Sequence, residues 1–130
     1  MTIKSLLALA ALAAIAAPAH AQMSGGWQGV GLQAGPTGVQ STWTISMTVR
    51  SGIASRIEYP SLGCTGTLHE LSRTRDEIEF REQITAGPCI DGGRIIARLR
   101  DGRLSWFWYL PGGNAGVDAS AVLYRETAIS

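Results

Sequence analysis

The strongest constraint on the fold is a strict alternation of apolar and polar residues. In segment 41–50, Trp43, Ile45, Met47 and Val49 alternate with threonine and serine. A period of two places one set of side chains against a core and the other toward solvent, which is typical of a half-buried β-strand. This segment is therefore predicted to be a strand with one buried face.

The same alternation recurs along most of the chain. It predicts further strands over 25–32, 53–59, 64–68, 77–84, 94–100, 104–110 and 118–125. Polar or glycine-rich turns separate them, and Asp101-Gly102 is the strongest hairpin signal among these. We therefore expect an all-β fold: a single small antiparallel barrel of about eight strands in up-and-down order. A two-sheet β-sandwich is the alternative.

The first 21 residues have the composition of a secretory signal peptide. Lys4 precedes an apolar run that Pro18 ends, and Ala19-His20-Ala21 is a small-x-small cleavage site. The apolar run is shorter than the roughly 20 residues that span a bilayer. We expect cleavage after Ala21, a single domain over 22–130, no membrane anchor after cleavage, and a periplasmic or secreted protein.

The charge balance argues against two classes of partner. Lys4 is the only lysine, so segment 22–130 has ten arginines against ten acidic residues. Proteins that bind nucleic acid or anionic membranes carry a clustered basic excess. We therefore expect no nucleic-acid partner, and no motif in the sequence points to a cofactor.

The two cysteines predict a disulfide. Cys64 follows a Pro-Ser-Leu-Gly corner, Cys89 lies in a Gly-Pro-Cys loop, and an exported chain is exposed to oxidation. A metal site is the alternative, but segment 22–130 offers only His69 as a histidine ligand.

Most of the large aromatic residues share the inward phase of the strands. An eight-stranded barrel has an interior that side chains can fill, so these residues either fill the core or line a ligand cup. Glu82 also falls on the apolar phase, where a carboxyl group needs a partner. It either binds a polar ligand group or pairs with Tyr59, a tryptophan N–H or an arginine. The candidate interior residues are Trp27, Trp43, Tyr59, Glu82, Trp106 and Trp108.

A second set of apolar residues has the opposite phase. We expect Phe107 and Tyr109 to pair with Val122 and Tyr124 of the last strand. Exposed apolar patches of this kind often mark contact surfaces, although a loop could equally cover this one.

Catalytic patterns are weak in this sequence. Triad chemistry needs a histidine held by a carboxylate, and His69 has outward parity. Glu77 and Glu79 alternate with apolar residues, as expected for the solvated face of a strand.

Two resemblances extend these predictions. Gly25-Gly26-Trp27 followed by about eight strands resembles the opening of calycin barrels, the lipocalins and avidins. A second resemblance, to a small extracytoplasmic module of bacterial proteins whose function is unknown, covers more of the chain. Its motifs here are Trp27-Gln28-Gly29, Tyr59-Pro60-Ser61-Leu62-Gly63-Cys64-Thr65-Gly66, Glu82-Gln83-Ile84, Cys89 and Trp106-Phe107-Trp108. It implies export, a disulfide-linked β fold and a binding or sensory role.

The sequence favours an exported binding or interaction module over an enzyme. The alternatives are a secreted hydrolase inhibitor, a small-ligand carrier and, less favoured, an enzyme. A small-ligand binder needs a cavity ringed by Trp43, Trp106, Trp108 and Glu82. An inhibitor needs a rigid exposed loop, for which 60–63 and 86–92 are candidates, and an enzyme needs His69 or two carboxylates converging in a cleft.

Overall fold

A computed structural model describes residues 22–35, 38, 40–112 and 116–126. The predicted signal peptide, residues 1–21, lies outside the described residues. Within them the chain forms eight strands and a short 3-10 turn, Pro60–Leu62. The strands are β1 (Gly25–Ala34), β2 (Gln40–Val49), β3 (Ser55–Tyr59), β4 (Cys64–Arg73), β5 (Glu77–Ala86), β6 (Arg94–Arg100), β7 (Arg103–Tyr109) and β8 (Ala119–Arg125).

The strands form a closed barrel in which each strand pairs antiparallel with the next. β1 also pairs with β8, with Trp27 opposite Arg125 and Leu32 opposite Ser120, and this ladder closes the barrel. The predicted all-β fold and its up-and-down order are therefore confirmed, and the sandwich alternative is wrong. A small closed eight-stranded antiparallel barrel with one disulfide is compatible with the calycin-like architecture.

The up-and-down order gives the barrel two distinct ends. The connections β1–β2, β3–β4, β5–β6 and β7–β8 lie at one end, here called the open end. The three remaining connections and the residues before β1 lie at the other, the closed end. The β6–β7 connection is the predicted Asp101-Gly102 turn, in which both residues have positive φ, 53° and 75°.

The half of the barrel near the closed end is densely filled. Buried side chains there include Trp27, Met47, Ile57, Leu68, Ile78, Phe80, Leu104 and Leu123. Met23, which is fully buried, belongs to the same cluster and accepts a 2.8 Å hydrogen bond from Trp27 Nε1 through its carbonyl. The Arg125 guanidinium lies 4.3 Å from the Trp27 ring centroid, and it donates to the carbonyls of Ser24 and Gln22. The segment before β1 is thereby fixed to the last strand.

Several strand bounds differ from the predictions, and β1 continues to Ala34. β3 begins at Ser55, because Ile53 belongs to the preceding turn and is 63% exposed. β4 and β5 continue to Arg73 and Ala86, several residues past their predicted ends. Their ladder contains two register shifts, between Thr65 and Gly66 and between Glu70 and Ser72. Bulges of this kind interrupt the simple alternation from which the shorter strands were predicted.

The predicted disulfide is present. Cys64 at the start of β4 is bonded to Cys89 in the β5–β6 connection, 25 residues later. A disulfide is compatible with a periplasmic or secreted location. Among the described residues, no helix has the length and apolar character needed to cross a bilayer.

Candidate functional site

The open end of the barrel contains a cup of about 310 Å³, large enough for a small ligand. Its walls combine aromatic and aliphatic side chains with a few polar groups. The lining residues are Gln33, Trp43, Tyr59, Leu62, Glu82, Pro88, Cys89, Ile90, Trp106, Trp108 and Ala119. Among the described residues, the cup thus lies at the opposite end of the barrel from Trp27 and its neighbours in the core.

Glu82 is the most deeply buried polar group of the cup, at 1% exposure. Its Oε2 accepts a hydrogen bond of 2.5 Å from the Tyr59 hydroxyl, and its Oε1 accepts one of 3.1 Å from Trp108 Nε1. Its main chain is also held, because its N–H donates to Gly93 and its carbonyl accepts from Gly92. The carboxyl group is therefore fixed in position and direction.

Burial dominates the protonation of this pair. Desolvation raises the pKa of Glu82, the hydrogen bonds from Tyr59 and Trp108 act in the opposite direction, and the charge of Asp91 raises it again. Desolvation also raises the pKa of Tyr59, with the charge of Glu82 and their hydrogen bond adding to the effect. Tyr59 consequently remains a neutral donor, while Glu82 is easier to protonate than an exposed glutamate.

Two glycines make room for the indoles of the cup. A Cβ atom at Gly93 would lie 2.3 Å from Trp108 Nε1, so the indole lies directly over this glycine, just before β6, where it donates to Glu82 on β5. A Cβ atom at Gly31 would lie 2.6 Å from Trp43 Cε2, so this second indole lies against β1. A side chain at either position would displace a tryptophan from its place in the wall of the cup.

The disulfide forms part of the rim. Cys89 lines the cup, and its bond to Cys64 joins the β5–β6 connection to the start of β4. Gly87 packs beside this bond with a φ of 94°, where a Cβ atom would lie 2.3 Å from the Gly63 carbonyl oxygen. The two candidate loops, 60–63 and 86–92, are therefore tied together at one side of the rim.

Trp106 lies below the rim tryptophans and is fully buried. Its ring meets that of Tyr59 edge to face, with centroids 6.3 Å apart. Its Nε1 is a buried donor with no hydrogen-bond partner within the described part of the chain. Such a donor is uncommon in a folded core, and ordered water is a usual acceptor for it.

Five of the six predicted interior residues converge on the cup. They are Trp43, Tyr59, Glu82, Trp106 and Trp108, and the sixth, Trp27, lies in the core of the closed end. Of the pairing alternatives for Glu82, the structure contains both the tyrosine hydroxyl and a tryptophan N–H.

The predicted pairing on the outer face differs from the register. Val122 lies opposite Ser105, and Tyr124 lies opposite Arg103, so neither faces Phe107 or Tyr109. The latter two rings instead lie beneath guanidinium groups of β6. Arg98 is 6.0 Å from the Phe107 centroid, and Arg94 is 5.1 Å from the Tyr109 centroid. On the other side of β8, Val122 faces Val30, and both are about half exposed.

The polar residues considered for catalysis lie away from the cup. His69 Nε2 is 2.9 Å from Gln83 Oε1, on the non-interior phase of β4. Glu77 pairs with Arg98 and Glu79 pairs with Arg94, in partly exposed salt bridges across β5 and β6.

The sequence did not indicate several cup residues. Gln33, Leu62, Pro88, Ile90 and Ala119 line it because of where the strands end and the rim loops fold. For Ala119 a signal was present, since it shares the inward phase of β8 with Ala121. Small inward residues at the end of a strand are where a barrel core has unfilled volume.

Comparisons with protein-family models, with curated proteins and with solved structures gave no match.

Proposed function

We propose that this chain is an exported binding protein whose cup takes a small molecule with an apolar body and a polar head. The observation that carries the proposal is Glu82, a buried carboxyl group held by two donors and facing an open cavity of about 310 Å³. Burying a carboxyl group costs free energy, and a filled apolar interior would be the more stable solution. A ligand with a polar head would form hydrogen bonds with Glu82, which accounts for a buried carboxyl group at this position.

The walls of the cup support the same proposal. Trp43 and Trp108 offer large rigid surfaces, which lose little conformational freedom when a ligand binds. The glycines beneath these two indoles fix their positions. The disulfide holds one side of the rim, so the binding surface is formed before the ligand arrives. The resemblance to calycin barrels and to the bacterial extracytoplasmic module agrees with export and with a binding role.

Blocking the cup tests this function. Ala119→Phe places a ring in the cavity from a residue that is 4% exposed, and Val122→Phe is a matched change on the outer face of the same strand. Binding of a panel of small aromatic cations, alcohols and carboxylates is measured by tryptophan fluorescence and by the shift in melting temperature. Compounds that bind the parent protein and the Val122 variant, and do not bind the Ala119 variant, support the proposal. Binding that is equal in all three proteins, or absent from all, overturns it.

The rim favours a second candidate function, inhibition of a hydrolase. The disulfide ties the two rim loops together, and each presents an exposed aliphatic side chain, Leu62 at 46% and Ile90 at 53%. A rigid exposed loop of this kind can enter a protease cleft without losing much conformational entropy. Inhibition assays against a set of proteases and glycosidases, repeated with Leu62→Arg and Ile90→Arg, test this candidate. If both arginine variants still inhibit, the rim loops are not the inhibitory surface.

A further inference from the structure

We infer that the cup takes a small organic cation, with an ammonium or related group against Glu82 and an apolar body against the tryptophans. This inference rests on the proposed function and narrows it to one charge class of ligand. Three independent features of the open end carry it: the carboxyl group, the absence of basic residues around it, and the indole walls.

The carboxyl group has capacity for a further partner. Each of its oxygens accepts one hydrogen bond from the protein, Oε2 from Tyr59 and Oε1 from Trp108. A carboxylate oxygen accepts two, so both oxygens can take a second donor. An ammonium group supplies hydrogen-bond donors, and its positive charge balances that of the buried carboxylate.

The described lining of the cup and the sequences of its rim loops contain no basic residue, and the nearest in sequence is Arg94 at the start of β6. Within the described residues, no member of its lining is Lys, Arg or His. The sequences of the four open-end connections contain no Lys or Arg but do contain Asp91 and Asp118. These two aspartates accept hydrogen bonds from the N–H groups of Ile84 and Leu110, which fixes them at the rim.

Arginines are concentrated at the other end of the barrel. The closed-end turns and their flanks carry Arg50, Arg73, Arg75, Arg100 and Arg103. Acidic residues also lie there, since Arg73 pairs with Glu70 and Arg75 pairs with Asp76, whereas the open-end connections contain aspartates and no arginine. An anionic ligand would enter against Glu82, Asp91 and Asp118, whereas a cation is attracted to the open end.

The walls suit a cation as well as an apolar body. Tryptophan faces attract ammonium groups more strongly than the other aromatic rings do. The Trp43 indole lies against Gly31 of β1, and the Trp108 indole lies against Gly93, just before β6. A cation at Glu82 would therefore lie among rings while its salt bridge remains shielded from water.

Charge pairing makes binding depend on pH with a defined sign. A cation gains from Glu82 only when that carboxyl group is ionised, so affinity rises as pH increases through its pKa. The titratable groups facing Glu82 are Tyr59 from β3 and Asp91 from the β5–β6 connection. Trp108 from β7 and Leu68, opposite Glu82 on β4, do not titrate. Tyr59 stays neutral throughout, and the charge of Asp91 acts in the same direction as Glu82 on a bound cation.

Three probes of similar shape and different charge test the inference. Phenethylammonium, 2-phenylethanol and 3-phenylpropanoate are titrated calorimetrically into the purified protein at a series of pH values from about pH 4 to about pH 9. The titrations are repeated with Glu82→Gln, with Glu79→Gln as control on the outer face of the same strand, and with the cup-blocking Ala119→Phe. We expect the cation to bind at least about tenfold more tightly than the alcohol at the highest pH. The preference should shrink as the pH falls, disappear in Glu82→Gln, and persist in Glu79→Gln.

The outcomes separate the two proposals. If the alcohol binds as tightly as the cation, or the preference survives in Glu82→Gln, the charge inference is overturned while the cup remains a ligand site. If no probe binds saturably, or all bind Ala119→Phe equally well, both proposals are overturned. Should Glu82→Gln fail to fold, the pH dependence of the parent protein decides, because a preference independent of pH overturns the inference.

Discussion

The Tyr59 hydroxyl donates a 2.5 Å hydrogen bond to Glu82 Oε2, and both side chains are buried. Tyr59 is the last residue of β3 and Glu82 lies in β5, so the bond passes across the interior face of β4. It orients the carboxyl group toward the cup instead of leaving it to rotate. The stability of the barrel and the chemistry of the cup are thereby linked through one pair of residues.

The first prediction concerns the pH dependence of stability. The pKa of Glu82 is raised in the folded protein, so above about pH 4.3 the native state holds a proton that the unfolded chain has released. The free energy of unfolding should therefore fall as pH rises from there through the folded pKa, then level off. Urea unfolding at a series of pH values should show a flatter profile for Glu82→Gln. Glu79→Gln should keep the slope of the parent protein, and equal slopes in all three would contradict the assignment.

Removing the tyrosine hydroxyl should also destabilise the barrel. Tyr59→Phe leaves a buried carboxyl group with one donor fewer, which should cost about 1–3 kcal/mol of unfolding free energy. Tyr124→Phe, at a position 55% exposed, should change stability by less than about 0.5 kcal/mol. Denaturant titration at a single pH compares them. Equal effects of the two substitutions would show that the Tyr59 hydroxyl contributes little.

The Trp108 indole occupies its position because residue 93 is a glycine with no side chain. Gly93→Ala places a methyl group where the indole lies, and the resulting overpacking should cost about 1–3 kcal/mol. Near-ultraviolet circular dichroism should change as well, because the indole must move away from Glu82. Gly116→Ala, where the added carbon meets open space, is the control. A near-ultraviolet spectrum unchanged by Gly93→Ala would argue against this packing.

The disulfide should supply a large share of the stability. Opening a loop with a sequence separation of 25 frees the unfolded chain and should cost on the order of 3–4 kcal/mol. The double variant Cys64→Ser, Cys89→Ser and the chemically reduced parent protein should melt at similar, markedly lower temperatures. Reductant should leave the melting temperature of the double variant unchanged. A parent protein whose melting temperature does not respond to reductant would refute this contribution.

The alternation of apolar and polar residues was sufficient to predict an all-β fold with strands in up-and-down order, because each strand shows this pattern by itself. The pattern did not predict features that depend on how one strand pairs with another. The two bulges in the β4–β5 ladder depend on how these strands pair, and the exposed Ile53 follows from the length of the β2–β3 turn. Likewise, the outer-face pairing of Phe107 and Tyr109 required the β7–β8 register, which no local pattern contains.

The alternation of residues along β5 was enough to predict that Glu82 faces the barrel interior. It was not enough to predict that the interior contains a cavity. Inward aromatic residues are equally consistent with a filled barrel, and at the closed end Trp27 does fill it. The cavity arises where Ala119 is small and where two indoles pack against Gly31 and Gly93. Which glycine lies beneath which indole becomes visible only after the strands are in register.

The ladder between β1 and β8 has a consequence for folding. Every other ladder joins neighbouring strands, whereas this one joins residues such as Gln28 and Tyr124 from the two extremes of the barrel sequence. Closing so long a loop costs entropy before the hydrogen bonds of this ladder can stabilise the fold. We therefore expect the β1–β8 ladder to form late in folding. A chain lacking β8 would leave β1 and β7 as unpaired edges, and such edges recruit strands from other molecules. Protection from aggregation in this protein therefore depends on its last strand.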